Sequence, residues 1–441
     1  MFLRTDRSYE KCYMKNFLKK IVEKKLKKYS KRILEKYNPD IIAITGSVGK
    51  TSAKEAIYLV LKNHFNVRKS EKNYNNEIGA PLTLIGCDSG GKSFFAWLEI
   101  FRKAKKLIRK KCEYPKIIIL EMGADHPGDI EYLSSFIKPK IAIVTQVGQA
   151  HIEYFKTQKN IAKEKGKLVE NIKKDGYAVL NFDDPYILSM AKKTKANVLT
   201  FGFSQGSDLR ASDVRAGEES KNGIGISFKL AYDKSNVPVI LPNILGEHFI
   251  YSALCAIAVS KIYGINIIET ISELKKFEPL PGRMKLLVGV KNTKIIDDTY
   301  NSSPQAVIAA LKAMASYPSK RKIAVLGDML ELGKISEKEH YAIGGKLMDF
   351  GIDIAICVGE RSRDIARGAK DSGMLSDRIF SFSKTQEAGK FLQERMEQGD
   401  LMLIKGSQGM RMENIIKEVM AEPQRAGELL CRQGEEWLKQ A

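Results

Sequence analysis

The sequence contains no apolar run that approaches the ~20 residues required for a membrane-spanning helix. Its first nine residues are polar and charged and have no apolar core, so we expect no secretory signal. Six cysteines are scattered over 441 residues, and no two of them form a CxxC pair. These absences argue against a disulfide scaffold and a cysteine zinc site, and they favour a cytoplasmic protein with reduced thiols.

The composition is that of a soluble globular protein, with 44% hydrophobic and 28% charged residues. The net charge of +21 is concentrated in two segments of the chain. Residues 1–38 hold thirteen Lys and Arg against four Asp and Glu, and residues 92–116 hold nine against two. The remaining residues are nearly balanced in charge, so the basicity belongs to these two segments.

Short apolar runs alternate with helical stretches along most of the chain, a pattern typical of a parallel sheet covered by helices. The first series of predicted strands is 41–44, 117–120, 141–144 and 178–180. A second series follows a Pro-Gly boundary at 279–283 and comprises 294–296, 322–326, 354–358 and 401–404. Residues 203–245 instead alternate between Gly or Ser turns and short strands, which predicts a small antiparallel insert.

A glycine-rich turn stands directly after the first predicted strand and before a helix, with the sequence ITGSVGKTS at 44–52. Glycines let backbone N–H groups approach phosphate oxygens, and the start of a helix adds partial positive charge. Lys50 would reach the β- and γ-phosphates, and the Thr51 hydroxyl would bind Mg²⁺. The GxxxxGK[ST] pattern has a glycine where this chain has Ile44, so a plain glycine turn with a surface lysine is the alternative. The predicted nucleotide-binding residues are Thr45, Gly46, Ser47, Val48, Gly49, Lys50, Thr51 and Ser52.

We therefore predict an α/β fold built from two main domains. A basic amphipathic helical segment at 1–38 precedes a central P-loop ATPase domain with a parallel sheet at 39–282. A carboxyl-terminal Rossmann-like α/β domain follows at 283–420, and a helical tail occupies 421–441.

Seven sequence blocks follow one another in the order found in one enzyme family. The segment TGSVGKT at 45–51 resembles the phosphate loop of the Mur ligases, the ATP-dependent amide ligases that build the peptide of bacterial cell-wall precursors. Six further blocks are similar to the D-alanyl-D-alanine-adding branch of that family: KNYNNEIGAPLT at 72–83, EMGADHPG at 121–128, VGQAHIE at 147–153, DDTYNSSP at 297–304, LGDMLELG at 326–333 and KGSQGMRME at 405–413. The resemblance covers roughly residues 39–420.

This resemblance implies ATP as the cofactor, with one Mg²⁺ near Thr51 and another held by Glu121 and His151. Taken alone, Glu121 could cap a neighbouring helix, and His151 could be a buried structural histidine. The family also uses a lysine carbamoylated by CO₂, and the alignment of IAKEKG at 161–166 assigns this role to Lys165. The implied catalytic residues are Lys50, Glu121, His151, Lys165 and Arg283, and the implied metal ligands are Thr51, Glu121, His151 and Lys165.

Further residues are implied to contact the nucleotide and the substrates. Asp298 would accept hydrogen bonds from ribose hydroxyls, and Arg283 would reach the phosphates when the domains close. Tyr300 and Asn301 would border the nucleotide. The implied substrate-binding residues are Asn73, Asn75 and Asn76 in the second block and Lys405, Ser407 and Arg411 in the last, which would serve the incoming amine or its carboxylate. The alternative for that last block is a glycine-rich turn before a helix.

The chain departs from the family pattern in three places. About 40 lysine-rich residues precede the phosphate loop, and we expect the family's uridine-diphosphate-binding domain to be missing. Phe249 and Ser252 stand where the family has asparagines, so we expect different adenine contacts there. Lys167 replaces a glutamate beside Lys165.

The two basic segments predict cationic amphipathic helices, which suit an anionic membrane surface at the inner face of the membrane. In the second segment the apolar residues at helical spacing are Phe94, Trp97, Leu98, Phe101, Ala104 and Ile108. The alternative is that both apolar faces pack on the body of the protein. Nucleic-acid binding is less favoured, because no recognised nucleic-acid module accompanies the charge.

The combined features predict an enzyme that joins D-alanyl-D-alanine to a muramyl tripeptide precursor through an acyl phosphate, releasing ADP and phosphate. One alternative is the same ligase chemistry on a lipid-linked or other carboxylate acceptor, as in relatives that extend folate or polymer peptides. Another is a membrane-associated nucleotide-binding scaffold without catalysis.

Overall fold

The computed structural model describes residues 6–71, 74–148, 152–220, 223–233, 235–434 and 437, with side chains from residue 19 onwards except 218–220 and 223–224. The chain divides into two compact units, Met1–Arg210 with Tyr251–Thr270 and Ala211–Ile250 with Ile271–Ala441. The predicted domain boundary at residue 282 follows the order of the chain, whereas compactness assigns residues 211–250 and 271–282 to the second unit.

The first unit is built around parallel strands in the order β2-β3-β1-β4-β5-β6. Its strands are β1 (Asp40–Thr45), β2 (Val67–Lys69), β3 (Ile117–Glu121), β4 (Ile141–Val144), β5 (Tyr177–Asn181) and β6 (Asn197–Gly202). Its helices are α1 (Asp6–Tyr37), α2 (Lys50–Leu61), α3 (Gly79–Ile85), α4 (Phe94–Arg109), α5 (Asp129–Ser134), α6 (Ile152–Phe155), α7 (Gln158–Glu170) and α8 (Pro185–Leu188). The four strands predicted for this region are confirmed.

The central strands are apolar over nearly their whole length because helices cover both faces of the sheet. All five residues of β3 and all four of β4 are buried. In β1, Ile41 and Ala43 join a core cluster with Ile118, Leu120 and Val144. This burial fixes the carboxyl ends of β1, β3 and β4 beside one another, where the loops that follow these strands begin.

The second unit contains an antiparallel hairpin and a six-stranded sheet. Strand β7 (Leu209–Ser220) leads to β8 (Gly223–Tyr232) and β9 (Ser235–Pro242), which pair antiparallel and confirm the predicted insert. The helices α9 (His248–Ile262) and α10 (Ile267–Leu274) cross the division between the two units. The sheet strands are β10 (Lys285–Gly289), β11 (Thr293–Asp298), β12 (Arg321–Gly327), β13 (Ile354–Val358), β14 (Ile379–Phe382) and β15 (Asp400–Lys405). The helices of this part are α11 (Pro304–Ala315), α12 (Ser336–Gly344), α13 (Ser362–Asp371), α14 (Thr385–Arg395), α15 (Glu413–Val419) and α16 (Ala426–Leu429).

The six-stranded sheet has the order β10-β11-β15-β12-β13-β14, and only β10 is antiparallel to its neighbour. The carboxyl ends of β11, β15 and β12 therefore lie at one edge. Ligands of open α/β sheets bind at such edges. The predicted second series of strands is confirmed.

The two basic segments form α1 and α4, which pack against each other in the first unit. The ring centroids of Tyr29 and Phe101 are 5.9 Å apart, and Lys36 Nζ donates to the carbonyl oxygen of Leu107 at 2.7 Å and to that of Ile108 at 3.1 Å. The buried residues of this helical cluster are Leu26, Ile33, Leu82, Ile85, Ile100, Ala104 and Leu107. The inner faces of both helices are thus part of the protein core, as the packing alternative predicts.

The predicted helical tail at 421–441 is helical in only part of its described residues. That part contains a 3-10 turn at Pro423–Arg425 and the four-residue α16, and residues 430–434 are irregular. The irregular stretch is held by the buried side chain of Arg432, which donates hydrogen bonds to the Tyr300 carbonyl oxygen and to Glu413 at the start of α15. None of the helices among the described residues is both long and apolar enough to cross a membrane.

Candidate functional site

The phosphate loop runs from β1 to α2 and is pressed against the end of β4. A Cβ on Gly46 would lie 2.0 Å from Thr145 Oγ1, so only glycine fits that position. Ser47 N–H donates to the Gln146 carbonyl oxygen at 2.7 Å, and Gly49 precedes α2 with a left-handed φ of 85°. No side chain caps the start of α2. Its first N–H groups are therefore oriented for an anion, as in phosphate-binding helices.

Two hard oxygen donors meet at the start of α2. Thr51 Oγ1 donates to Glu121 Oε2 at 3.0 Å, and Glu121 is 5% exposed at the end of β3. Hydroxyl and carboxylate oxygens beside a phosphate loop are the ligands that Mg²⁺ prefers, so this pair fits one such ion. Lys54 Nζ lies 4.0 Å from the same carboxylate and donates to the Ser70 carbonyl oxygen at 2.7 Å.

Five of the predicted site residues line one cavity in the first unit: Gly46, Ser47, Lys50, Asn75 and Lys165. Lys50 comes from α2, Asn75 from the second sequence block and Lys165 from α7. The cavity is completed by Gly123, Ala124 and Asp125. Lys50 Nζ donates to the Gly46 carbonyl oxygen at 2.7 Å, and Asn75 Nδ2 lies 3.5 Å from Glu121 Oε1. Separate segments of sequence thus bring cationic, amide and backbone N–H donors to the mouth of the phosphate loop.

Lys165 is buried in α7, unlike the two lysines that flank it in sequence. Lys163 is exposed, and Lys167 Nζ pairs with Glu170 at 3.1 Å on the outer face of the helix. Burial and the neighbouring charge of Lys50 lower the pKa of Lys165 to about 7. The adjacent Glu164 accepts N–H donors of α5 from Gly128 at 3.0 Å and Ile130 at 2.8 Å, which holds α7 in place.

In the second unit, the predicted nucleotide and amine residues meet at the carboxyl ends of β11 and β15. Lys405 Nζ lies 2.7 Å from Asp298 Oδ2 and donates to the Asn301 carbonyl oxygen at 2.9 Å. The guanidinium of Arg283 lies 4.0 Å from the ring centroid of Tyr300. Asp297 is fully buried, accepts the Gly282 N–H at 2.8 Å, and has a pKa raised to about 6 by burial. Asp297 is therefore structural, whereas Asp298 is half-buried and pairs with Lys405.

The last sequence block is tied to the loop after β12. Ser407 Oγ accepts the Leu330 N–H at 2.8 Å, and Ser407 N–H donates to the Asp328 carbonyl oxygen at 3.0 Å. His340 supports that loop, because its Nε2 accepts the Met329 N–H at 2.9 Å. This contact defines Nε2 as the acceptor, so the proton of a neutral His340 sits on Nδ1.

Several predicted residues fall elsewhere. Asn73 and His151 lie outside the described residues. Asn76 caps α3, since its Oδ1 accepts the Gly79 N–H at 2.9 Å. Among the described residues, no three His, Cys, Asp or Glu side chains gather as a metal-binding group. Phe249 and Ser252 are 1% and 2% exposed, and the ring of Phe249 packs 6.0 Å from Phe277, so both positions are in the core.

Sequence reasoning missed Lys54, Asp125 and His340. Lys54 had a usable signal, because it lies four residues after Lys50 and so on the same face of α2. Asp125 belongs to a recognised block and lines the cavity. His340 carries no local signal, since its partner loop is brought to it only by the fold of the second unit.

A phosphate-loop α/β unit followed by a second α/β sheet fits an ATP-dependent ligase. The family model of the Mur ligase middle domain matches residues 44–260, and that of the Mur ligase glutamate ligase domain matches residues 282–408. The chain belongs to the Mur ligase family.

The relatives point to one branch of that family, MurF. The chain is 29% identical to the UDP-N-acetylmuramoyl-tripeptide–D-alanyl-D-alanine ligase of Bacillus subtilis (strain 168), over 90% of this chain and 79% of the relative. It is 30% identical to the enzyme of the same name from Buchnera aphidicola, over 95% of this chain and 84% of the relative. The MurF ligase of Thermotoga maritima, solved in complex with ADP, is 27% identical with a TM-score of 0.74, over 90% of this chain and 83% of that one.

The burial of Lys165 predicts a pH-dependent cost in stability. The folded pKa of about 7 is below the ordinary lysine value of 10.5, so the unfolded state binds more protons between these values. Lys165→Met should raise the free energy of unfolding at pH 6.5 by on the order of 3–5 kcal/mol, and the gain should shrink as the pH rises towards 10. Urea unfolding in CO₂-free buffer measures it, with exposed Lys163→Met as the control. An equal gain in the free energy of unfolding at pH 6.5 and at pH 10 would contradict a buried amine with a lowered pKa.

Proposed function

We propose that this enzyme joins D-alanyl-D-alanine to a muramyl tripeptide precursor. The carrying observation is the similarity to MurF enzymes over nine-tenths of the chain, supported by the cavity shared by Lys50, Asn75 and Lys165. An oxygen of the acceptor carboxylate attacks the γ-phosphorus of ATP, and ADP leaves. The dipeptide amine then attacks the acyl carbon, loses a proton, and displaces phosphate.

The cationic and N–H donors of the first unit suit the charge of this reaction. Lys50 and the start of α2 would hold the phosphates, where negative charge is greatest. Mg²⁺ would lie at Thr51 and Glu121 and would neutralise phosphate oxygens. A second ion at Glu121, His151 and Lys165 is part of the same proposal. Asp298, Tyr300 and Asn301 would contact the nucleoside, and Lys405, Ser407 and Arg411 the dipeptide.

Dipeptide-dependent phosphate release tests the proposed reaction. With ATP, Mg²⁺ and D-alanyl-D-alanine, the uridine-diphosphate muramyl tripeptide and its lipid-linked form are supplied in parallel. Turnover should require both acceptor and dipeptide, and Lys50→Ala should lower kcat by about 10²-fold or more. Glu121→Gln should raise the Mg²⁺ concentration needed for half-maximal rate.

The pattern of turnover separates the alternatives. Turnover on the lipid-linked form alone supports the second candidate, a ligase for a membrane-bound acceptor. Failure on both acceptors, with ATP still bound, rejects the proposed reaction and leaves another carboxylate or a non-catalytic scaffold. Equal rates for Lys50→Ala and the native enzyme would contradict the phosphate site.

We propose that Lys165 carries a carbamate. Its amine is buried beside Lys50 and Asp125 in the cavity, so CO₂ would meet a poorly solvated nucleophile there. The nitrogen lone pair attacks the carbon of CO₂, the nitrogen loses a proton, and a carboxylate-like ligand results.

Carbon-13 NMR with ¹³C-labelled bicarbonate tests the carbamate directly. A protein-bound carbamate resonance should appear in the native enzyme, should vanish in Lys165→Arg, and should persist in Lys163→Arg. The same resonance in both variants would reject Lys165 as the site.

We also propose that the enzyme works in the cytoplasm and docks on an anionic membrane through residues 1–38 and 92–116. Although α1 and α4 bury their inner faces, their outer faces are cationic. Residues 19–37 hold nine Lys and Arg against two Glu, and residues 92–111 hold eight against one. Phe94 and Phe95, at the start of α4, are 75% and 76% exposed. Exposed aromatic rings beside a cationic helix pair suit insertion among anionic headgroups.

Vesicle flotation tests the membrane surface. The native enzyme should float with phosphatidylglycerol vesicles at physiological salt and not with phosphatidylcholine alone. Lys24→Gln/Lys28→Gln/Lys31→Gln should weaken binding about a hundredfold, at roughly 1 kcal/mol for each charge. Phe94→Ser/Phe95→Ser should also weaken it, whereas Ile268→Ser, at a residue 64% exposed elsewhere in the first unit, should not. No flotation of the native enzyme rejects the proposal.

A further inference from the structure

Arg432 is a nearly buried side chain in the irregular segment after α16. Its side chain is 4% exposed and binds both the loop after β11 and the first residue of α15. Nη1 donates to the Tyr300 carbonyl oxygen at 2.9 Å, and Nη2 donates to the Thr299 carbonyl oxygen. On its other side, Nη2 and Nε donate to the carboxylate of Glu413 at 2.7 and 3.1 Å.

Glu413 links this contact to the last sequence block. Its side chain is fully buried and also accepts a hydrogen bond from Arg411 Nε at 2.7 Å. Burial opposes ionisation, yet the hydrogen bonds from Arg432 and Arg411 hold the pKa of Glu413 below its ordinary value. A buried carboxylate with two arginines keeps its charge, and each arginine restricts the position of the other.

A second contact of the same segment reaches the loop before β10. Cys431 Sγ lies 3.5 Å from Thr299 Oγ1. A Cβ on Gly282 would be 2.9 Å from Cys431 Sγ and 3.0 Å from the Tyr300 amide nitrogen, so the three segments are tightly packed. The next residue, Arg283, stacks on Tyr300. Residues 431 and 432 therefore touch the segments that carry Arg283, Tyr300 and Arg411.

We infer that Arg432 is a positioning residue that fixes the Thr299–Tyr300 backbone relative to Arg411, and so couples the nucleotide-binding and dipeptide-binding parts of the second unit. The inference rests on the proposed roles of Tyr300, Asn301 and Arg411. Arg432 itself contacts backbone and Glu413. It acts on the reaction through those residues.

Steady-state kinetics of Arg432→Met test the inference. Loss of these charge-assisted hydrogen bonds should raise KM for both ATP and D-alanyl-D-alanine by about tenfold. KM for the muramyl acceptor should stay within about twofold, because the asparagines proposed to bind it belong to the first unit. Arg432→Lys keeps the charge on Glu413 but cannot reach both carbonyl oxygens, so it should give intermediate values.

Arg425→Ala is the matched control, because Arg425 is an exposed arginine in the same segment that pairs only locally, with Glu422 and Glu428. It should leave all three KM values unchanged. A lower kcat with unchanged KM values in Arg432→Met and Arg432→Lys would mean that only the amount of folded enzyme has fallen. That result would overturn the inference.

Equilibrium binding of ATP separates this inference from the proposed reaction. If the native enzyme binds ATP but does not use the dipeptide, weaker ATP binding by Arg432→Lys than by Arg425→Ala still supports the coupling. If the native enzyme turns over the dipeptide and Arg432→Lys and Arg432→Met match it in every constant, the reaction stands and the inference fails.

Discussion

The close approach between the phosphate loop and the end of β4 sets the geometry of the first unit. Gly46 passes Thr145 with no room for a side chain, and Ser47 is hydrogen bonded to the backbone beyond it. With the loop pinned there, α2 must start at Lys50, which turns Thr51 towards Glu121 and Lys50 towards the cavity. A larger residue at position 46 would displace all three side chains at once, because the contact is with the backbone-proximal part of a buried strand end.

The parts of this arrangement that follow from local rules were accessible from the sequence. Continuous apolar runs predicted the parallel strands, since such strands are buried on both faces. The glycine pattern predicted the loop, and seven ordered blocks predicted the family and its cofactor. Lys165 was singled out by alignment, and the structure gives the physical distinction that alignment lacks. Its side chain points inward, whereas Lys163 and Lys167 lie on the outer side of α7.

The remaining features depend on which surfaces meet in three dimensions. The sequence of α4 does not distinguish an apolar stripe that faces lipid from one that faces protein. The contact with α1 shows that this stripe packs on the protein. Phe249 and Ser252 replace asparagines of the family pattern, and only the structure shows that both lie in the core. His340 and Arg432 bind loops distant in sequence, so no spacing rule could find them. Long-range hydrogen bonds to backbone carbonyl oxygens leave no residue pattern, because every residue type supplies the same acceptor.

The ammonium of Lys36 caps the end of α4, because it donates hydrogen bonds to carbonyl oxygens that backbone N–H groups of a further turn would otherwise have paired. Together with Leu26 and Ile33, it makes α1 an internal wall of the first unit. A shortened protein made by starting at β1 would therefore uncover apolar residues of α3 and α4 and remove the Lys36 donor from the last carbonyl oxygens of α4. We therefore expect a chain that starts at β1 to be less stable than one that keeps the amino-terminal helix.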